Sequence, residues 1–308
     1  ISSIGAALAS NVEYFMLFRF LGGLGIGASS VVAPIYISEI APPKHRGKLV
    51  ISFQLNVVLG ILIAYISNYF IQGMENDWRI MLGVVGIPSL LFSVLILFTP
   101  ETPTFLLLKR NDLAGARKVL ALADPNPEET IQRITDNQKL QIKGERLFSK
   151  KFITPLILSF LFSFFNQLSG INAIIYYAPR IYELTGLGKE SALLSTAGIG
   201  LANLVFTMVG WYFIDRVGRR KLMYIGSFGY ILSLGLITLS FYQENFYLVP
   251  LYIFVFIASH AIGQGSVIWV FISEIFPNSV RASGMAWGSL THWVLAAFVA
   301  NFFPIFTE

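Results

Sequence analysis

The sequence predicts an all-α, polytopic membrane protein, built as two pseudo-symmetric helical bundles. Three observations predict it. The 308-residue chain is 55% hydrophobic and only 13% charged, against about 25% charged in an ordinary soluble domain, and its mean hydropathy is +0.67. Its apolar residues fall into runs near the ~20 residues that carry a helix across a bilayer. One stretch also occurs twice, as YISEIAPPKHRG at 36–47 and FISEIFPNSVRA at 271–282. Superposed, Glu39 falls on Glu274, Pro42 on Pro277 and Arg46 on Arg281, each pair 235 positions apart. Apolar runs flank both copies, so each reads as a corner between two membrane helices. A long-range internal repeat fixes architecture, and parallel repeats in a membrane are a transporter pattern.

The elements follow in order. Residues 1–10 are small and apolar and read as the end of a helix; 11–14 make a turn. A span over 15–38 carries Gly22, Gly23, Gly25 and Gly27. No strand precedes this string, which argues against a dinucleotide loop; Gly23 and Gly27, four apart, suit close helix approach. Arg19 lies inside the start of the span, either snorkelling to the headgroups or placed for function. Spans at 49–71 and 79–98 follow, the last closed by Pro100. From Glu101 to Lys151 the chain is polar, with helical patterning around Leu106, Leu113, Ala116, Val119 and Leu120. Further spans are predicted at 152–182, 192–213, 221–241, 248–275 and 284–305. The organisation is thus a first bundle at 1–98, a helical linker at 99–151 and a second bundle at 152–308.

The repeat offset sets an expectation about extent. Shifted by 235, the partners of 152–235 fall before Ile1 and those of 79–98 fall beyond Glu308. The chain is therefore read as a piece lacking roughly two helices in front and one behind. Orientation follows from the cations: 18 of the 22 Lys and Arg lie on the side that carries the linker and both repeat corners. That side is cytoplasmic by the positive-inside rule.

Composition excludes several functions. There is no Cys, hence no disulfide, thiol catalysis or thiolate metal site. Three His without paired spacing give no metal-ligand pattern. The net charge of +5 comes from loops between apolar spans and does not point to nucleic acid. No nucleophile–base pair is apparent, which makes a membrane enzyme the weakest reading and no enzyme the expectation.

Six strings stand in register: R-x-L-G-G-x-G-x-G at 19–27, P-I-Y-I-S-E-I-A-P with R-G-K at 34–48, Pro-Glu-Thr-Pro at 100–103, N-Q-L-S-G-I-N-A-I-I-Y-Y at 166–177, D-R-V-G-R-R at 215–220, and W-V-F-I-S-E-I-F-P at 269–277 with Arg281. Together they resemble the sugar porter family of the major facilitator superfamily. By that resemblance residues 1–98 hold family helices three to six, and 152–308 hold seven to eleven. The implied function is transport of a hexose, pentose or polyol by alternating access, as a facilitator or with a coupled proton. The implied setting is a bacterial inner or eukaryotic plasma membrane, crossed several times, with the complete protein working as a monomer on a small-molecule sugar in the lipid bilayer. No cofactor, metal or nucleic acid is expected. A non-transporting sugar sensor on the same scaffold is the alternative.

The chemistry can be argued from the residues as well. Amide side chains donate and accept, as sugar hydroxyls do, and polar groups at mid-membrane depth face a cavity or another helix rather than lipid. Gln54, Asn166, Gln167, Asn172 and Asn203 fit, and Trp269 and Trp293 offer flat apolar faces to a sugar ring. Their alternative role is helix packing and inter-helix hydrogen bonding. The resemblance makes Gln54, Gln167, Asn172, Asn203 and Trp269 sugar ligands, and Tyr176 and Tyr177 aromatic gates. It also implies that Glu39, Arg46, Asp215, Arg216, Arg219, Arg220, Glu274 and Arg281 form a cytoplasmic latch holding the two halves shut. Topology and helix-end pairing alone account for the arginines. The sequence departs from the family at Asn166, at Ile61, at His260 (often Phe), at His292 (an amide, so counted with the sugar ligands), at Ser266 (usually Pro), and at Thr104 and Phe105.

One geometric expectation is specific. Gln167 and Asn172 are five residues apart and on an ideal helix point about 140° from each other. Both face one sugar only if the helix breaks between them, and Ser169–Gly170 is the place where it can.

Overall fold

A computed structural model describes residues 1–42, 46–122, 124, 126–140, 146–186, 188–277 and 279–306; the side chains of Arg46, 137–140, 189, 190 and 306 lie outside the description. All regular structure among the described residues is helical. After the short α1 (Ser2–Leu8), α2 (Val12–Ile40) starts at Asn11, whose side chain caps it by accepting from the Tyr14 N–H. Then come α3 (Arg46–Ile71), α4 (Asp77–Val84) and α5 (Gly86–Leu95), the last prolonged by a 3-10 turn at Ile96–Phe98. The linker holds α6 (Pro103–Leu108), α7 (Leu113–Leu120) and α8 (Pro127–Leu140). Thr102 and Asp112 cap α6 and α7 through their side-chain oxygens, the usual way of satisfying first-turn N–H groups. The predicted patterning places Leu106, Ala116 and Leu120 inside, but Leu113 is exposed.

A 3-10 turn at Lys150–Phe152 leads into α9 (Ile153–Leu168) and α10 (Ile171–Leu184), followed by α11 (Lys189–Val217) and α12 (Arg219–Tyr242). The predicted span 248–275 is two helices, α13 (Val249–His260) and α14 (Ser266–Ile275), joined by a π turn at Ala261–Gly265. The last element is α15 (Arg281–Phe306). Eight segments among the described residues are long and apolar enough to cross a membrane, as the hydropathy pattern predicts. The span predicted at 79–98 is interrupted at Val85, between α4 and α5. Pro88 lies just inside α5 and cannot donate to Val84, the carbonyl four residues back.

The outward faces carry large apolar side chains such as Phe20, Leu97 and Phe228, which suits lipid and not water. The packed interior lies among the later helices. Ile174, Ala178 and Tyr182 of α10 pack with Ile199 of α11 and Ile253, Phe256 and Ile257 of α13. The π turn packs tightly on α12: a Cβ on Gly226 would lie 2.6 Å from the Gly263 Cα, so only glycine permits that approach. α3 lies against α11, where Val50 and Ile51 share a buried cluster with Ile214.

Candidate functional site

α9 ends at Leu168 and α10 begins at Ile171 because Gly170 takes the left-handed conformation, with φ 79° and ψ 13°. The Ser169 hydroxyl donates to the Asn166 carbonyl at 2.6 Å, which satisfies an acceptor at the end of α9. The break turns Asn172 back toward the last turn of α9. Its amide nitrogen donates to Gln167 Oε1 at 2.7 Å. Gln167 Nε2 in turn donates to Asn166 Oδ1 at 3.1 Å and faces both ring nitrogens of His292 at 3.0 Å. Gln167 is wholly buried, so its amide is held on both sides by protein groups at the floor of a cavity.

That cavity has a volume of about 460 Å³ and is walled by α2, α3, α9, α10, α11, the π turn with its flanks, and α15. It brings together Gln54, Asn166, Gln167, Asn172, Asn203, Trp269, His292 and Trp293, all eight residues predicted as sugar-facing, with Tyr176 of the gate pair. Asn203 accepts from the Thr207 hydroxyl at 3.5 Å. The Trp269 ring lies 5.0 Å from His292, and His292 lies edge-on to Trp293 at 5.4 Å. Trp293 Nε1 donates to Ser30 Oγ at 3.2 Å, tying α15 to α2 across the cavity.

Of the two tyrosines expected as gates, Tyr176 lines the cavity and Tyr177 packs beside it. The Tyr177 hydroxyl donates to the Ala300 carbonyl at 2.9 Å and its ring stacks on Phe303 at 5.2 Å, so it packs against α15 and does not line the cavity. Consecutive helical residues point about 100° apart, and only Tyr176 of the two reaches inward. Sequence reasoning missed Ser29, Ser30 and Phe53 as wall residues. The two serines are small polar residues in the middle of an apolar span, which is the signal that could have found them.

The predicted latch resolves unevenly. Arg219 pairs with Asp215 and with Glu274, both at 3.1 Å. All three belong to the later helices, and the triad meets the earlier ones at Gly47: a Cβ there would lie 2.7 Å from Arg219 Nη2 and 2.8 Å from Asp215 Oδ1. Arg216 and Arg220 do not share those pairs. Arg216 donates to the Tyr212 hydroxyl and Arg220 to that of Tyr224, each lying over its tyrosine ring. Arg281 Nε donates to the Phe276 carbonyl at 3.4 Å. Glu39 sits in the last turn of α2, half-buried; the Arg46 side chain lies outside the described residues.

A membrane-spanning helical bundle around a central cavity of amides and indoles, with a charged corner on one side, defines a carrier of small polar solutes. The family model described as "Sugar (and other) transporter" matches residues 1–308, and the chain belongs to that family. It is 35% identical to the arabinose-proton symporter of Bacillus subtilis, over 97% of this chain and 68% of that protein. It therefore spans about two thirds of that relative's length. Its fold matches the proton:xylose symporter XylE bound to 6-bromo-6-deoxy-D-glucose with a TM-score of 0.87, at 30% identity over 99% of this chain and 70% of that one. Against the inward-open conformation of XylE from E. coli the TM-score is 0.76, at 29% identity and the same coverage.

Proposed function

We propose that the protein carries a hexose, pentose or polyol across the cell membrane by alternating access, binding it in the cavity at the α9–α10 break. The observation that carries this reading is the cluster of Asn166, Gln167, Asn172 and His292, a hydrogen-bonded set at the floor of the cavity. Neutral amides complement hydroxyls in either direction and hold a neutral solute without trapping it. Trp269 and Trp293 supply the apolar faces that a sugar ring's C–H surface needs. A sugar entering must exchange contacts with an amide that already has partners, so its binding couples directly to the geometry of the α9–α10 break. The nearer likeness to the sugar-bound XylE than to its inward-open form supports assigning this arrangement to a state closed at the charged corner. Rocking of the two helix sets about the cavity then requires the Arg219 triad to part from Gly47.

The coupling ion, where there is one, is a proton, as the name of the Bacillus relative suggests. Uptake of radiolabelled L-arabinose, D-xylose and D-glucose into liposomes tests both parts. Saturable uptake establishes transport. Accumulation above equilibrium under an inward proton gradient establishes symport, and mere equilibration establishes a facilitator. Saturable quenching of tryptophan fluorescence by sugar with no uptake would replace transport with the sensor reading, which nothing in the relatives supports.

A further inference from the structure

We propose that His292 is a positioning residue whose protonation upsets the amide row at the floor of the cavity, so that acid weakens sugar binding. The inference rests on the transport reading and deepens it. The hydrogen bonds of the row have a fixed direction. Asn172 Nδ2 donates to Gln167 Oε1 at 2.7 Å, which leaves Gln167 Nε2 to serve the other side. There it donates to Asn166 Oδ1 at 3.1 Å and lies 3.0 Å from each ring nitrogen of His292. Equal distances place the amide nitrogen against the ring as a whole and not at one lone pair. The contact therefore holds for either neutral tautomer, since an amide N–H is drawn to an electron-rich ring. An imidazolium reverses this: both its nitrogens carry hydrogen and neither accepts. Gln167 must then turn its carbonyl toward the ring. The turn sets Oε1 against Asn166 Oδ1, two acceptors, and Nε2 against Asn172 Nδ2, two donors. Gln167 is wholly buried, where an unpaired amide is costly. One proton thus upsets every partner of this amide, including the one that spans the break between α9 and α10.

The proton has access. His292 is half-buried and lines the cavity. The indoles of Trp269 and Trp293, centred 5.0 and 5.4 Å from its ring, lie within the ~6 Å over which an aromatic ring attracts a cation. The other titratable or charged groups in reach are His260 on the π turn, Tyr176 on α10 and, acting on Tyr176, Arg19 of α2. None of the described residues lining the cavity is a carboxylate, so no anion in that wall takes up the imidazolium in place of Gln167. The sign follows. The row stands while His292 is neutral and is lost as pH falls through the titration of the ring. By linkage, sugar held on the intact row opposes protonation in equal measure. A symported proton favours sugar binding, so this proton regulates transport and is not the coupled one.

The test is equilibrium binding of D-xylose, D-glucose and L-arabinose to the full-length protein by calorimetry. It runs from about pH 8 to about pH 4.5, across the range in which histidine titrates, for wild type, His292→Gln, His292→Asn and His260→Gln. The quantity read is the pH slope and not the absolute affinity, and two amide variants guard against a folding defect in one. Wild type and His260→Gln are expected to lose about tenfold more affinity over this range than the His292 variants do, the equivalent of one buried hydrogen bond. An amide can present its carbonyl to Gln167 Nε2 at every pH, so the His292 variants lack this slope. In weak buffer at the acid end, sugar should release protons from wild type and not from them. The same slope in wild type and both His292 variants, or its loss in His260→Gln, would overturn the assignment, while sugar binding at the alkaline end leaves the transport reading standing. A wild-type protein that binds none of these sugars at any pH overturns both.

Discussion

The Tyr65 hydroxyl on α3 donates a 2.7 Å hydrogen bond to the Ile175 carbonyl on α10, and that carbonyl lies four residues before Pro179. Proline has no N–H, so within α10 the Ile175 carbonyl loses its ordinary donor. Tyr65 supplies one from the other helix set. Two residues on, Tyr177 departs from helical geometry at φ −110° and ψ 15°. A weakened stretch of α10 is thereby tied to α3 on the side of the cavity away from the charged corner. The two ties, Tyr65 to Ile175 and the Arg219 triad to Gly47, lie toward opposite ends of α3.

Tyr65→Phe should favour opening on the side away from the linker. Removing the phenol takes the donor from a partly buried carbonyl, worth about 1 kcal/mol or roughly fivefold in the balance of states. These 308 residues hold no cysteine, so a single cysteine placed at the cavity residue Val57 in an otherwise cysteine-free background reports directly. Labelling from outside by an impermeant maleimide should quicken about fivefold in Tyr65→Phe. In a Pro179→Ala background the restored N–H can serve Ile175, and the Tyr65 change should then have little effect. Equal labelling with and without Tyr65 in the Pro179 background would show that the bond does not hold this side.

Glu274→Lys should favour the inward-open state. The charge reversal breaks one of the two pairs of Arg219 and places like charges together. The side chains of Arg219, Asp215 and Glu274 are 31%, 25% and 40% exposed, so solvent screening holds the effect to about 1 kcal/mol or less. Cysteine labelling of the cavity from the linker side should quicken by up to about fivefold, and a rate equal to that of the parent would leave the triad a purely topological role. Gly47→Ala should act in the same direction but more weakly, since the atoms it meets are the mobile ends of Arg219 and Asp215.

The large features were legible in the sequence because each rests on a strong local rule. Runs of about 20 apolar residues predict the spans, and the 235-residue repeat places the charged corners. Gln167 and Asn172 predict the helix break because two amides cannot share a target across 140° of helix. Other features depend on neighbours that no local rule names. The π turn at Ala261–Gly265 exists where Gly263 meets Gly226 of α12, a contact 37 positions away in the chain. Tyr177 has the same residue type as Tyr176 and differs only in which helix it meets. The family resemblance of D-R-V-G-R-R implies latch roles for Arg216 and Arg220, yet each has a tyrosine four positions away on its own side.

Gln167→Ala should weaken sugar binding by about 1–3 kcal/mol, or roughly 5- to 150-fold. Asn172→Ala should cost a similar amount, and the double variant less than the sum. The two amides share one hydrogen bond, and residues in contact do not contribute additively. Equilibrium sugar binding measured on the four proteins of the cycle checks this, and strict additivity would mean that the amides act as separate sites.

Gly170→Val should slow transport without removing any group that touches sugar. Nothing lies within 4 Å of a Cβ built on Gly170, so the substitution meets no clash. Its cost is conformational. At φ 79° an L-residue pays roughly 1–2 kcal/mol, and a β-branched side chain is the least tolerant of that region. The valine pulls residue 170 toward right-handed helix, which straightens α9 into α10 and swings Asn172 away from Gln167. Turnover should therefore fall while residual binding stays sensitive to Gln167→Ala. Gly170→Asn should recover part of the rate, since asparagine tolerates the left-handed conformation better than other residues with side chains. A valine variant with wild-type turnover, or an asparagine variant no better than valine, would show that transport does not depend on the left-handed residue at the break.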